Sequence, residues 1–125
     1  MMNNRDLLNR IKPLKDIQSI NSIILFGSQV QGKARPDSDI DIAVIMNNPS
    51  LKDESKAIGI GNEKYDISLF HKLPLIVKFR VLKEGSVIFC RDDSYLKKVK
   101  LDTIKFYLDF APIINRFYKK VIENV

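Results

Sequence analysis

Apolar residues recur along this chain in two rhythms. Over residues 4–20, Leu7, Leu8, Ile11, Leu14, Ile17 and Ile20 fall three or four apart, the spacing that lines one side of a helix. Asn3 or Asn4 is a suitable cap, and Pro13 inside the run predicts a kink or two short helices. Residues 22–26 form a short apolar run of strand length. Ile40, Ile42 and Val44 then alternate with Asp39, Asp41 and Ala43, the period of two that marks a strand. Residues 47–50, "NNPS", read as a turn, and residues 51–63 as loop or weak helix.

The same two rhythms organise the second half. "KYDISLF" at 64–70 predicts a third strand, with Asp66 and Ser68 on one face and Tyr65, Ile67 and Leu69 on the other. Residues 73–83 read as a helix closed by Gly85, and 86–90 as a fourth strand. Asp92, Asp93 and Ser94 can cap a last helical segment, about 94–124, the longest pattern in the chain. Leu96, Val99, Thr103, Tyr107, Phe110, Ile114, Phe117 and Val121 share one stripe of it; Leu101, Ile104, Leu108 and Ala111 form a second. A helix apolar on two sides buries both, either at the centre of its own core or against a partner. Pro112 is expected to bend or divide it. The order is helix, strand, helical turn, strand, strand, helix, strand, helix. The fold class is therefore α/β (α+β): a small mixed sheet of about four strands flanked by helices.

Size and composition narrow this picture a little. The 125 residues suit a single domain, 1–125, with an ordinary apolar fraction of 45%. No apolar run approaches the roughly 18 to 20 residues of a membrane span, and the N-terminus lacks the apolar block of a secretory signal. The one cysteine, Cys90, has no partner for an internal disulfide, and a cytoplasmic address is expected. A net charge of +6 suits an anionic partner, but the lysines are dispersed and solubility explains them equally well.

The polarity pattern is oddest between residues 24 and 45, "ILFGSQVQGKARPDSDIDIAVI". Gly27 and Ser28 end an apolar run and lead into a polar segment. Such a junction can aim a helix N-terminus, with its free N–H groups, at phosphate; it can equally be an ordinary cap. Asp39 and Asp41 lie on one face of a strand, roughly 6.5 Å apart, where two carboxylates repel. A turn at "RPDSD" accounts for Asp37 and Asp39 but not for Asp41, already inside the apolar run. A hard divalent cation such as Mg²⁺ would compensate. Asp66, on the third strand, would complete a three-carboxylate cluster if its strand lies beside that of Asp41. Two metals so held suit in-line attack on a phosphoryl group.

Gly27-Ser28, ten further residues, Asp39-Ile40-Asp41 and a later Asp66 on a strand resemble the DNA polymerase β-type nucleotidyltransferase superfamily. "GSQVQGKARPDSDIDIAV" is similar to the minimal nucleotidyltransferases (MNT). The likeness runs on through "KYDISLF", "LPLIVKFRVLKEGSVIFCRD" and "YLDFAPIINRFYKK", most like the antitoxins encoded beside a helical HEPN ribonuclease toxin. The resemblance implies a polymerase β-like fold and transfer of AMP from ATP, with Mg²⁺, to a tyrosine of the toxin. It assigns Gly27 and Ser28 to the nucleotide phosphates and Asp39 and Asp41 to the metal. Asp66 becomes the third carboxylate, which shares a metal and helps activate the acceptor hydroxyl. Gln29 and Gln31 stand where the family often has arginine, leaving Lys33 and Arg35 as substitutes for binding the nucleotide.

Two other functions stay open at this stage: nucleotidyl transfer to a small molecule or an RNA end, and neutralisation of a toxin by binding alone. The chain's small size favours an acceptor supplied by another molecule, docked on the C-terminal helix, which could also mediate oligomerisation. Direct nucleic-acid binding is not expected. His71 reads as a loop histidine near a helix start and Cys90 as an unreactive strand residue. Phe106, Tyr107, Phe110, Phe117 and Tyr118 read as core or partner-contact residues before a base-stacking surface.

Overall fold

The period-two segments all become strands of one sheet. The computed structural model describes residues 4–27 and 39–123. Its elements are α1 (Asn4–Lys15), β1 (Ile20–Phe26), β2 (Ile40–Met46), α2 (Leu51–Ile60), β3 (Tyr65–Leu69), a single 3₁₀ turn (Phe70–Lys72), α3 (Leu75–Glu84), β4 (Ser86–Cys90) and α4 (Asp93–Glu123). The sheet order is β3-β2-β1-β4. β1 runs antiparallel to β2 and β4, whereas β2 and β3 are parallel, so the sheet is mixed and the fold α+β. A parallel pair needs a crossover, and α2 supplies it.

Helices cover both sides of this sheet. On one side Leu7, Ile11 and Leu14 of α1 and Ala57 of α2 cluster with Ile23, Leu25, Ile42, Val44 and Ile67. On the other, Val81 of α3 and Leu96 of α4 cluster with Ile24, Ala43, Ile45 and Phe70. Alternate residues of β2 thus belong to opposite cores, which pins its register: a slip of one residue would exchange the two faces.

Three expectations need correction. Helical spacing continues to Ile20, but α1 stops at Lys15, just past Pro13. Ile17 and Ile20 are buried from a turn and from β1, the turn being closed by Ile17 N–H to Leu14 O (3.1 Å) and Ile20 N–H to Ile17 O (3.0 Å). Second, the segment read as loop or weak helix is α2, a ten-residue helix. A capping box starts it: the Ser50 hydroxyl accepts from Asp53 N–H (3.1 Å) and the Asp53 carboxylate accepts from Ser50 N–H (3.4 Å). Third, of the two outcomes expected at Pro112, division of the helix is excluded, the 31 residues of α4 forming one helix. The cap expected there is present, the Asp92 carboxylate accepting from Ser94 N–H at 2.9 Å and Tyr95 N–H at 3.4 Å.

Gly85 closes α3 as expected, its N–H donating to Val81 O at 2.8 Å, with an extended rather than left-handed backbone. A side chain there would meet the Ile24 side chain and the Leu25 carbonyl, because α3 turns into β4 directly over β1. The helical turn expected after Gly27 lies outside the described residues.

Candidate nucleotidyl-transfer site

β2 carries its polarity change on a single face. Ile40, Ile42 and Val44 point to the α1 and α2 core, so Asp41, Ala43 and Ile45 share the other side, and Asp39 immediately precedes the strand. β3 repeats the pattern: Tyr65, Ile67 and Leu69 are buried while Asp66 is exposed. Because β2 and β3 are adjacent and parallel, Asp41 pairs directly with Asp66, and Ile40 with Tyr65. That start of the ladder is fixed by Ile40 N–H donating to Lys64 O (2.7 Å) and by the Asn62 side chain accepting from the N–H groups of Lys64 and Tyr65, both 2.9 Å. Neighbouring strands lie about 4.8 Å apart, so the two carboxylates stand side by side.

On its other edge Asp41 pairs with Phe26, the last residue of β1. Gly27 follows with φ +89°, a conformation that non-glycine residues rarely adopt. A β-carbon at this position would run into the Asp41 carboxylate. Gly27 therefore has a role that its place before a polar segment did not reveal: it lets the chain leave β1 across the face of Asp41. The sequence signal for this was indirect, a glycine at the end of a strand whose partner begins in aspartates.

The electrostatics follow from this packing. Partial burial, then the nearby charges of Asp66 and Asp39, push the Asp41 carboxyl above the ordinary carboxylate range. Three acidic groups thus meet at one end of the sheet, and their oxygens are the hard donors that Mg²⁺ prefers. Among the described residues no three His, Cys, Asp or Glu side chains are gathered tightly enough to form a metal cage by themselves. The donor set suits a hard cation whose remaining ligands are water and substrate oxygens, the usual manner of Mg²⁺. Asp39, Asp41, Asp66 and Gly27 are thus brought to one place. Ser28, Lys33 and Arg35, and with them Gln29 and Gln31, lie outside the described residues.

The other singled-out residues take structural places. His71 sits in the 3₁₀ turn, 3.5 Å from Glu54 of α2, whose carboxylate also pairs with Lys72 at 2.9 Å. The Lys72 hydrogen bond, ahead of His71, holds Glu54 below its usual range. Cys90 accepts from the Ser22 hydroxyl at 3.8 Å, and burial pushes its thiol up, away from the reactive thiolate. Tyr107 stacks on Phe79 of α3, with ring centroids 4.1 Å apart. Among the described residues no helix is long and apolar enough to cross a membrane.

Comparison with known proteins agrees with this geometry. A Methanocaldococcus jannaschii protein named "Putative protein adenylyltransferase MJ1547" is 30% identical over 110 residues, spanning 86% of this chain and 80% of that one. A crystal structure of a toxin–antitoxin with AMP-PNP superposes with a TM-score of 0.74 at 19% identity, covering 97% of this chain and 99% of its own. An MNT antitoxin in complex with a tri-AMPylated Shewanella oneidensis HEPN toxin gives 0.69 at 20% identity, covering 93% and 98%. At these identities the two structures establish a shared fold. The family model described as "Polymerase beta, Nucleotidyltransferase" matches residues 9–94, a span that holds Gly27, Asp39, Asp41 and Asp66 together. With its sheet, its paired carboxylates and this match, the chain belongs to the polymerase beta nucleotidyltransferase family.

Proposed function

We propose that this nucleotidyltransferase moves AMP from ATP to a hydroxyl of a partner protein, a tyrosine of an HEPN-type toxin, and so acts as the toxin's antitoxin in the cytoplasm. The observation that carries this reading is the pairing of Asp41 with Asp66 across β2 and β3, beside the glycine that ends β1. The protein acceptor is suggested by the relative named as a protein adenylyltransferase and by the toxin–antitoxin complexes that share the fold.

In this reading Gly27 and Ser28 receive the phosphates of ATP, with Lys33 and Arg35 neutralising their charge. Asp39 and Asp41 hold Mg²⁺ through carboxylate oxygens, and Asp66 shares it. When bound, the cation neutralises the triphosphate and lowers the pKa of the attacking hydroxyl. Asp66 accepts the hydroxyl proton while the acceptor oxygen bonds to the α-phosphorus. The bond from that phosphorus to the bridging oxygen breaks, and pyrophosphate leaves with its electrons. Burial first, and then the charges of Asp66 and Asp39, raise the Asp41 carboxyl, and a divalent ion would relieve the part that comes from the neighbouring acids.

The test is direct. The purified chain is incubated with Mg²⁺, labelled ATP and the HEPN-type protein encoded beside it. A mass increase of one or more AMP units on a tyrosine of the partner, absent in Asp39→Ala/Asp41→Ala and on chelation, is the expected result. Neutralisation that survives the double substitution would sink the catalytic reading in favour of binding alone.

A further inference from the structure

The stripe that seals the second core does not end where the core ends. Along α4, Leu96 and Thr103 are buried, and Tyr107 still stacks on α3. From Leu108 to Glu123 no residue is buried, although the apolar spacing continues. Nine large apolar side chains between Ile104 and Ile122 are 42–72% exposed. Together they present on the order of 800 Å² of apolar surface, what each partner contributes to a stable interface and above what a monomer usually leaves bare.

Two sides of this arm are apolar. Phe110, Phe117 and Val121 continue the stripe that is buried nearer the core, whereas Ile104, Leu108 and Ile122 lie on another side. The second stripe opens from a groove between α3 and α4, lined by Phe79, Leu82 and Ile104 and rimmed by Lys83 and Lys100. The spacing of three and four on both sides suits helices as the occupants. A second copy pairing α4 against α4 would cover one stripe and leave the other wet. It would also bring together two chains of net charge +6. A helix lying on a membrane surface needs one apolar side, not two.

We infer that the C-terminal arm of α4, with the α3–α4 groove, is a docking surface for a helical protein whose apolar helices are flanked by acidic residues. The inference rests on the proposed function in taking that protein to be the AMP acceptor. Docking then resides on α4, while the reacting groups sit on β2 and β3. The lysines at the groove rim meet the partner's carboxylates, which makes association faster at low salt.

Leu108→Glu/Ile122→Glu and Phe110→Glu/Phe117→Glu test the two sides separately. All four positions are exposed, so the helical circular-dichroism signal and the affinity for ATP stay at wild-type levels. Binding to the HEPN-type protein encoded beside this chain, measured by calorimetry, falls roughly 100-fold or more in each pair. Wild-type-like binding by both pairs overturns the inference. So does dimerisation of the chain alone, or its capture by anionic vesicles, that is lost in the same variants while HEPN binding persists. A tight complex in which the partner is never adenylylated leaves the docking surface standing and removes the catalytic reading. Adenylylation that proceeds normally in both variants does the reverse.

Discussion

On one face of β2, two residues apart, the chain holds opposite environments. Asp41 is half-exposed and crowded by the charges of Asp39 and Asp66, while Ala43 is fully buried and Ile45 only 2% exposed. Backbone geometry does not separate them, since both ends pair with β1 and β3 or lie one step beyond. Cover separates them: Val81 of α3 and Leu96 of α4 close over the Ala43 end, and at the other end Gly27 passes beside the carboxylate. The lesson is that a strand can be stabilised along half its length and spend the other half on charge repulsion. The packed end fixes the strand pairing that sets Asp41 beside Asp66.

This contrast sets the expected effects. The largest belongs to Asp41→Asn, which should reduce AMP transfer by about 10³-fold, some 4 kcal/mol of transition-state stabilisation, in a steady-state assay. The same variant should unfold in urea no earlier than wild type, because it removes one of three mutually repelling charges. A marked loss of stability would mean that the acid end is structural after all. Moving the charge two residues, with Ala43→Asp, should cost about 4 kcal/mol or leave the chain unfolded, since a carboxylate there has no water. If Ala43→Asp were tolerated, α3 and α4 would not seal that end.

Smaller effects sharpen the boundary. Ile45→Ala should lose about 3 kcal/mol in denaturant titration while ATP affinity holds, as expected for a cavity in a packed core. Gly27→Ala should cost about 1–2 kcal/mol for its backbone conformation alone. It should also displace the Asp41 carboxylate, so transfer falls more than stability.

The mildest signature is pH. Asp41 has its pKa raised on folding, so its contribution is most favourable below the unfolded value, about 4, and is lost as pH rises through the folded one. Asp41→Asn should therefore gain on wild type in urea stability between about pH 4 and neutrality. Asp53 and Glu54, lowered mainly by hydrogen bonds from Ser19 and Lys72, act in the opposite sense and are common to both proteins. Mg²⁺ at neutral pH should raise the wild-type melting temperature and leave Asp41→Asn unmoved.

Much of this could be read from residue order. The alternation around Asp39–Asp41 and Asp66 named both strands and the face that each acid takes. The Asp-Asp-Ser cap, the strand at 86–90 and the long last helix also followed from local spacing. The beginning of α2 was harder, because its capping box lies in a polar stretch with few apolar repeats, and one buried residue, Ala57, marks its inner side. The end of α1 is not legible in the spacing, because Ile17 and Ile20 fit the helical period by coincidence, each being buried for another reason.

What the sequence determined by itself is which side chains share a face, since the periods of helix and strand are fixed by backbone geometry. It thereby pointed to Asp41 on β2, with Asp39 just ahead of it, to Asp66 on β3 and to the two stripes of α4. Only the tertiary structure decided which strands are neighbours and which stripes find a cover. The parallel pairing that sets Asp41 beside Asp66 depends on the crossover through α2, and the room for Asp41 depends on Gly27 from a third segment. The same stripe of α4 is core at Leu96 and bare at Phe117, because α3 and the sheet reach only so far along it. Periodicity is local and cover is not: among the described residues, Asp66 and most of the arm of α4 beyond Tyr107 are left exposed.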